Sequence, residues 1–575
     1  MGQLCAKCVQ LLCDFALRVK KFSVDLMFDI KECLTQVLNC PCLKRKNFET
    51  RQLYKPAFQT QEEEIAQEFL QHIEKGFEAS PLSKVSLEAL RTLAFSENPG
   101  LQMSAAAYYL QMSQYMNIQL PPEHLETYYA LLKSNDLEVQ QISSLSLLNF
   151  LLEGNVSKQH VMQMDLLEPI LELLDSDDTT VQCNSCACIM TLAVSDVSRE
   201  AIATAGGVIP LLALSKSYNP RVQQNAVGAI FNLTQSEWIQ QLLFQQGALP
   251  ILICLLESPD SQVQYYSCAA LSNMAMNSWH HEAMLHIGNR FLLRTLLPLL
   301  SSPVDKVSNQ ACVCLRNLAT NESVQTSIVA LPILPLLFPL LASDNAELQQ
   351  NAIILLRLLS QHPANQDKLM CDEVLQILGK LLLAWKTHPV VIGHAACFLQ
   401  NLSCSESMPK IVKSPCIEGL LQTVLSADFL EEESLSCVIS CLAELLKHER
   451  AIACILELID EPLIDILLRL AGQVEQTETS FQTAFIIKCI IQHGNMVFLL
   501  KQHMNKVQEY LMKYLSHQEN RFQQLGISTL CLLQKDSEFL SAFSQNQMKK
   551  YLDQVHQQTE ETQELLSVAM KHMDT

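Results

Sequence analysis

The residues whose types and spacing could do chemistry lie at the start of the chain and in a row repeated along it. The sequence opens MGQLCAKC, so Gly2 follows the initiator Met and the thiols of Cys5 and Cys8 stand close behind. A glycine amine can take a myristoyl amide and a nearby cysteine a palmitoyl thioester; the sixth residue is Ala6, where the usual pattern has Ser or Thr. One myristoyl chain binds a bilayer with a constant of only about 10⁴ M⁻¹, so a second signal is needed. Cys5 and Cys8 could supply it by acylation. Lys20, Lys21 and the Lys44-Arg45-Lys46 run could add about 1 kcal/mol each at an anionic leaflet. The apolar positions from Val9 to Leu38 could form an amphipathic helix on lipid or on the first repeat. Two other readings stand beside the anchor. One is a plain arm with an incidental Met-Gly. The other is a zinc site from Cys5, Cys8, Cys40 and Cys42, whose Cys-x-Cys half has poor zinc spacing and no supporting His.

The row is made of amides. Asn149, Asn232, Asn273, Asn317 and Asn401 each fall ten residues into a recurring segment. Asparagine carries a carbonyl and an amide on one short stem and can grip both the C=O and the N–H of an extended peptide. Such a row reads backbone more than sequence, which suits a groove for protein partners. The competing reading is that each Asn satisfies contacts between its own helices. Arg316 and Arg357 each precede the ladder position by one residue and could pair with acidic or carbonyl groups of a ligand. Thr191 and Leu358 interrupt the row, Gln111 holds the place in an earlier copy, and Glu444, Cys489 and Leu532 end it. The groove is therefore expected across residues 101–401.

The elements that position this row are repeats. The segments read VQQISSLSLLNFL from Val139, VQCNSCACIMTLA from Val181, VQQNAVGAIFNLT from Val222 and VQYYSCAALSNMA from Val263. They continue as VSNQACVCLRNLA from Val307, LQQNAIILLRLLS from Leu348 and VIGHAACFLQNLS from Val391, with spacings of 42, 41, 41, 44, 41 and 43 residues. Weaker copies begin at Leu101 and near Ser434, Thr479 and Phe522. A period near forty with helical apolar spacing indicates an armadillo or HEAT solenoid. Between the segments lie GGVIPLLALSKS from Gly206 and GALPILICLLES from Gly247. There a glycine supplies the left-handed residue that ends one helix and a proline starts the next. Three helices per repeat favour armadillo.

The expected fold is all-α, a right-handed armadillo-repeat superhelical solenoid of roughly eleven repeats. The expected organisation is a lipid-anchored basic, Cys-rich segment at 1–48, the solenoid at 49–535 and a helical cap or tail at 536–575. The 21 residues from Ser323 to Ser343 carry no charge, but Pro332, Pro335 and Pro339 interrupt them, so they read as buried solenoid helix, not a membrane span.

Composition narrows the function. The 22 cysteines follow no secretory leader and fall mostly on apolar helix faces, as reduced thiols in a cytosolic protein would. Cys183, Cys186 and Cys188 are expected inside a repeat core, and His280-His281 in an inter-helix loop at the surface. A formal charge of −20 argues against nucleic acid. Residues 1–48 carry eight basic and four acidic side chains, a net of +4 that leaves −24 for the rest. A basic head on an acidic body is a membrane-facing pattern. No P-loop, GxGxxG after a strand, HExxH or GxSxG is present, so the chain reads as no enzyme, with no catalytic residue, cofactor, metal or small-molecule substrate assigned. Nuclear-import adaptors of this architecture place Trp four residues before the ladder Asn. Here those places hold Leu145, Gly228, Ala269, Val313 and Cys397, which argues against a receptor for nuclear-localisation signals.

The segments VQYYSCAALSNMA, IATAGGVIPLLALSKS from Ile202 and RVQQNAVGAIFNLT from Arg221 closely resemble the vacuolar armadillo proteins of the beta-catenin family. The resemblance extends over essentially the whole chain and is strongest over 130–330. It implies a myristoylated and palmitoylated adaptor on the cytosolic face of a vacuole or lysosome membrane, with Gly2, Cys5 and Cys8 as lipid sites. Such an adaptor recruits partners for vacuole inheritance, organelle contact and protein targeting to the vacuole. A soluble cytosolic armadillo adaptor in signalling or cargo binding is the alternative.

Overall fold

The computed structural model describes residues 84–573, apart from 116–118, 288–289, 385–386, 404–407, 494–496, 546–547 and 556–558. Gly2, Cys5, Cys8 and the basic residues through Lys46 lie outside the described residues. The described chain is an all-α armadillo solenoid, without a strand among those residues. It divides into two compact units, Met1–Leu296 and Leu297–Thr575.

In the first unit the third helices are Pro99–Tyr115, Leu137–Leu152, Thr179–Leu192, Pro220–Leu233 and Ser261–Met274, each packed on the next. The second unit repeats the pattern with Asp305–Leu318, Ala346–Ser360, Pro389–Leu402, Glu432–Leu445, Thr477–His493, Asn520–Leu533 and Glu560–Met573. That makes twelve third helices among the described residues. The additional one lies past residue 536, where Ser537–Gln545, Met548–Asp553 and Glu560–Met573 form one more triplet.

Local chemistry explains why these helices begin where they do. A serine precedes each of several third helices, and its hydroxyl accepts from the N–H two residues on: Ser134 from Asp136, Ser176 from Asp178, Ser217 from Asn219, Ser258 from Asp260 and Ser343 from Asn345. The Asp or Asn is then the N-cap, accepting from the first free N–H groups of the helix, as Asp178 does from Thr180 and Val181. The ends of the first helices follow the sequence expectation, with Gly206 at φ 83° and Gly247 at φ 75° in the left-handed region. Pro210 and Pro250 sit two residues further in than expected for a starting residue, third in Val208–Leu214 and Ala248–Leu255. Their missing N–H is an orphan in that turn anyway.

Leu, Ile, Val and Ala side chains from all three helices fill the space between triplets. Tyr109, Tyr128, Phe150, Tyr266, Phe398 and Tyr514 are among the largest groups enclosed there. The charge-free stretch from Ser323 resolves into Glu322–Val329 and Leu334–Leu341, bent by 97°, with Leu337 and Leu341 fully buried. Among the described residues no single helix is long and apolar enough to cross a membrane, while this pair and two others bent by 88° and 92° reach the length and composition.

Candidate functional site

The expected asparagines all lie on third helices, but they are not equally open. In the first unit Asn232 is 0% exposed and donates its amide to the Met190 carbonyl at 2.7 Å. Asn149 is also buried and donates to Ser113 Oγ at 3.1 Å. Asn273 is half-buried, its amide on Thr234 Oγ1 at 3.0 Å. In each case the donor reaches back to the end of the preceding third helix, where carbonyls lack helical partners and hydroxyls, having donated to their own helix, keep lone pairs free to accept. Thr191, which interrupts the row, folds back on its own helix through the Ala187 carbonyl at 2.8 Å.

Asn232→Ala should therefore act first on stability. It strips a buried carbonyl of its donor, at about 1–3 kcal/mol. A lowered unfolding midpoint is the expected reading, and an unchanged one would show that the carbonyl has another source of satisfaction.

The second unit has a more open face. Asn317 and Asn401 are half-buried, and Asn401 donates to Ser360 Oγ at 2.9 Å. Arg316 donates to Asn351 Oδ1 at 2.6 Å, Asn351 to Asn309 Oδ1 at 2.8 Å, and Asn309 to Glu347 at 2.7 Å. Arg357, on the next third helix, is half-buried and pairs with no carboxylate among the described residues; its Nε is enclosed without a hydrogen-bond partner. His394 on the following helix feels both arginines. Burial first, and then the charges of Arg357 and Arg316, hold its imidazole below the usual range. Fixed guanidinium groups flanked by amides suit a carboxylate or the carbonyls of an extended chain.

Other expected residues fall as follows. Cys183, Cys186 and Cys188 are buried, and burial pushes the Cys186 and Cys188 thiols up. His280 and His281 are not at the surface. They are buried against the end of Ser261–Met274, with His280 Nδ1 3.0 Å from the Met274 carbonyl and His281 Nε2 2.7 Å from that of Ala275. Among the described residues no group of three or more His, Cys, Asp or Glu side chains converges as a metal site.

One surface row escaped the reading of the sequence. Val197, Trp238 and Trp279 occupy the same place in three successive repeats and are 72%, 43% and 86% exposed. Their spacing of 41 residues was the available signal. Met276, beside Trp279, is also open.

The armadillo/beta-catenin-like repeat model matches residues 195–235 and 239–276. Vacuolar protein 8 of Komagataella pastoris is 34% identical over 110 residues, and that of Gibberella zeae 36% identical over 97 residues. These stretches are 19% and 17% of both chains, so the chain spans about a fifth of the length of the curated relatives it matches. The crystal structure of an engineered protein superimposes with a TM-score of 0.58 at 24% identity, over 74% of this chain and all of the other, which supports the fold.

Proposed function

We propose that this armadillo-repeat chain, similar over part of its length to vacuolar protein 8, is a membrane-anchored scaffold that recruits partner proteins through its third-helix face. The membrane is the cytosolic side of a vacuole or lysosome, and the anchor is acylation at Gly2, Cys5 and Cys8. The observation that carries the recruiting role is Arg357. A half-buried guanidinium with no carboxylate partner among the described residues, in a chain of net charge −20, is available to an acidic or carbonyl group from outside. Asn317 and Asn401 on neighbouring third helices add amides for the backbone of an extended segment. Trp238 and Trp279, exposed on the first helices of the first unit and outside that face, offer a separate aromatic contact of the kind typical of binding hot spots.

One experiment in cells tests both halves. Full-length protein expressed with an alkynyl myristate should be labelled and recovered with membranes, and Gly2→Ala should be neither. Unlabelled protein remaining in the cytosol with Gly2 intact would replace the anchor by the soluble-adaptor reading. In the same cells Arg357→Glu should cut the partners captured by proximity labelling by about tenfold, the cost of one charge-assisted contact. Undiminished capture would place partner binding elsewhere on the chain.

A further inference from the structure

Two third helices of the first unit offer no face to a ligand. In Thr179–Leu192 every side chain from Cys183 through Leu192 is buried, and in Leu137–Leu152 every one from Ser143 through Leu151. A helix closes a turn in 3.6 residues, so runs of this length leave no side of it open. The first helices of the same unit differ. They are Asp196–Thr204, Glu237–Gln245 and the joined pair Ser278–His280 and His281–His286. Val197, Trp238 and Trp279 each stand second in their helix and all three are exposed. Two of the three tryptophans of the chain are in this row.

Side chains running between the helices hold the row in register. Asn277 Oδ1 accepts from the Trp279 N–H at 3.1 Å, and its amide donates to Glu237 Oε1 at 3.1 Å, next to Trp238. Arg199, two residues past Val197, donates through Nη1 to Gln235 Oε1 at 3.0 Å, at the entry to the Trp238 helix. Phe244, on that helix, stacks on His280 beside Trp279, with ring centroids 5.3 Å apart. Val194 and Met276, three residues before Val197 and Trp279, are open as well. An apolar patch held this firmly and left to water marks an interaction surface.

Its border is acidic. The three first helices carry Asp196, Glu200, Glu237 and Glu282, all exposed. Their one Lys or Arg is Arg199, which is buried and already pairs with Asp196. An anionic leaflet would be repelled there, and so would the same face of a second copy. Positive charge is the complement, and an ammonium or guanidinium over a tryptophan ring gains a further attraction.

We infer that this row docks a basic amphipathic helix of a partner protein. The apolar stripe of that helix lies on Val197, Trp238 and Trp279, and its lysines or arginines face the bordering acids. Helices that pack directly lie about 8–10 Å apart, and about seven residues of a partner helix, at 1.5 Å each, cover one such step. Apolar anchors two turns apart therefore reach successive members of the row. The surface adds a second recruiting site and depends on neither Arg357 nor the anchor.

The test uses full-length Trp385→Phe protein, whose remaining tryptophans are Trp238 and Trp279, so its emission reports the row. The probe is a peptide of leucine and lysine about 18 residues long, with the leucines on one helical face. The same residues in scrambled order control for attraction to the net charge alone, and a leucine–glutamate peptide controls for the sign. The amphipathic lysine peptide should shift the emission to shorter wavelength, less so as salt is raised, while neither control does. Trp279 is 86% exposed, so Trp279→Ala should leave the unfolding midpoint in place and weaken binding about tenfold or more. Glu200→Lys with Glu282→Lys should weaken it several-fold, and Arg357→Glu not at all. Equal binding of the scrambled peptide, or full affinity in Trp279→Ala, overturns the inference. A shift with phosphatidylserine vesicles and none with the peptide overturns it in favour of lipid. Emission already shielded from acrylamide before any peptide is added overturns it too, since another segment of this chain would then cover the row. Recruitment lost in Arg357→Glu leaves this surface standing, and a silent row leaves recruitment at Arg357 standing.

Discussion

Gly379→Val should lower the unfolding midpoint of the second unit more than any surface change. Gly379 lies in the second helix Asp372–Leu383, against the start of the next second helix, Cys416–Leu425. A Cβ at Gly379 would fall 2.3 Å from Pro415 Cγ, 2.9 Å from Pro415 Cβ and 3.0 Å from the Pro415 carbonyl carbon. The proline ring is rigid and the carbonyl carbon belongs to the backbone, so relief requires the helices to part. Gly419 repeats the theme from the other side, where a Cβ would meet Leu382 Cβ at 2.6 Å. Two glycines thus let the helix backbones approach closely.

Two effects oppose each other at Gly379, and magnitudes decide between them. Alanine in a helix gains about 1 kcal/mol over glycine. Overpacking a tight contact costs about 1–3 kcal/mol. Gly379→Ala should therefore be destabilising by a small margin, and Gly379→Val, with two further methyls, by several times that. Gly472 is the control. Its φ is −75° and a Cβ there meets nothing nearer than 3.5 Å, so Gly472→Ala should be neutral or stabilise by about 0.4–1 kcal/mol. Repeat arrays need not unfold in one step, so amide exchange across 372–425 is the sharper measurement. Wild-type protection in Gly379→Val would mean the helices do not cross this closely.

The period and the third helices were legible because the segments from Val139 to Val391 repeat their apolar spacing and, in five of the seven, an Asn ten residues in. What those asparagines face was not. Along a helix one residue turns the side chain by about 100°. Phe231, stacked 6.0 Å from Tyr266, takes the open side next to Asn232 and leaves the amide inside. In the second unit Arg316 and Asn317 are both half-open. His280-His281 read as a surface pair because adjacent histidines mimic a polar loop. Structurally His281 holds a place filled by different residues elsewhere. Arg199, Gln240 and Gln325 likewise bond the carbonyls that end the preceding third helix, those of Ala193, Thr234 and Ala319. Three residue types at one place leave no pattern in a single sequence. The Ser-x-Asp/Asn starts at Ser134, Ser176, Ser217 and Ser258 did leave one.

Acid should loosen the N-terminal end of the described solenoid through His124. The ring is 1% exposed, with Nδ1 3.1 Å from the Tyr109 hydroxyl and its plane edge-on to the Tyr109 ring at 6.0 Å. Tyr109 also bonds Thr127, whose hydroxyl donates to the His124 carbonyl at 2.6 Å, so the site is a closed polar network inside the core. Burial pushes the imidazole down to about 4 from its ordinary 6.5, with Glu123 pulling weakly the other way. The folded ring therefore stays neutral while the unfolded chain takes up its proton near 6.5. Between those values the unfolded state holds more protons, so stability falls as pH drops from about 6.5 and the loss is complete below about 4. At 1.36 kcal/mol per unit the full effect is about 3 kcal/mol, a large share of what holds one terminal triplet. Carboxylates titrate in the same range, so the informative quantity is the difference between wild type and His124→Gln. The variant should start less stable at pH 7 and lose less on acidification, with the two curves converging toward pH 4. Amide exchange across residues 99–152 reads this locally. Curves that stay parallel from pH 7 to pH 4.5 would show that His124 takes up its proton in the fold as readily as in the unfolded chain, and that burial does not control this end of the solenoid.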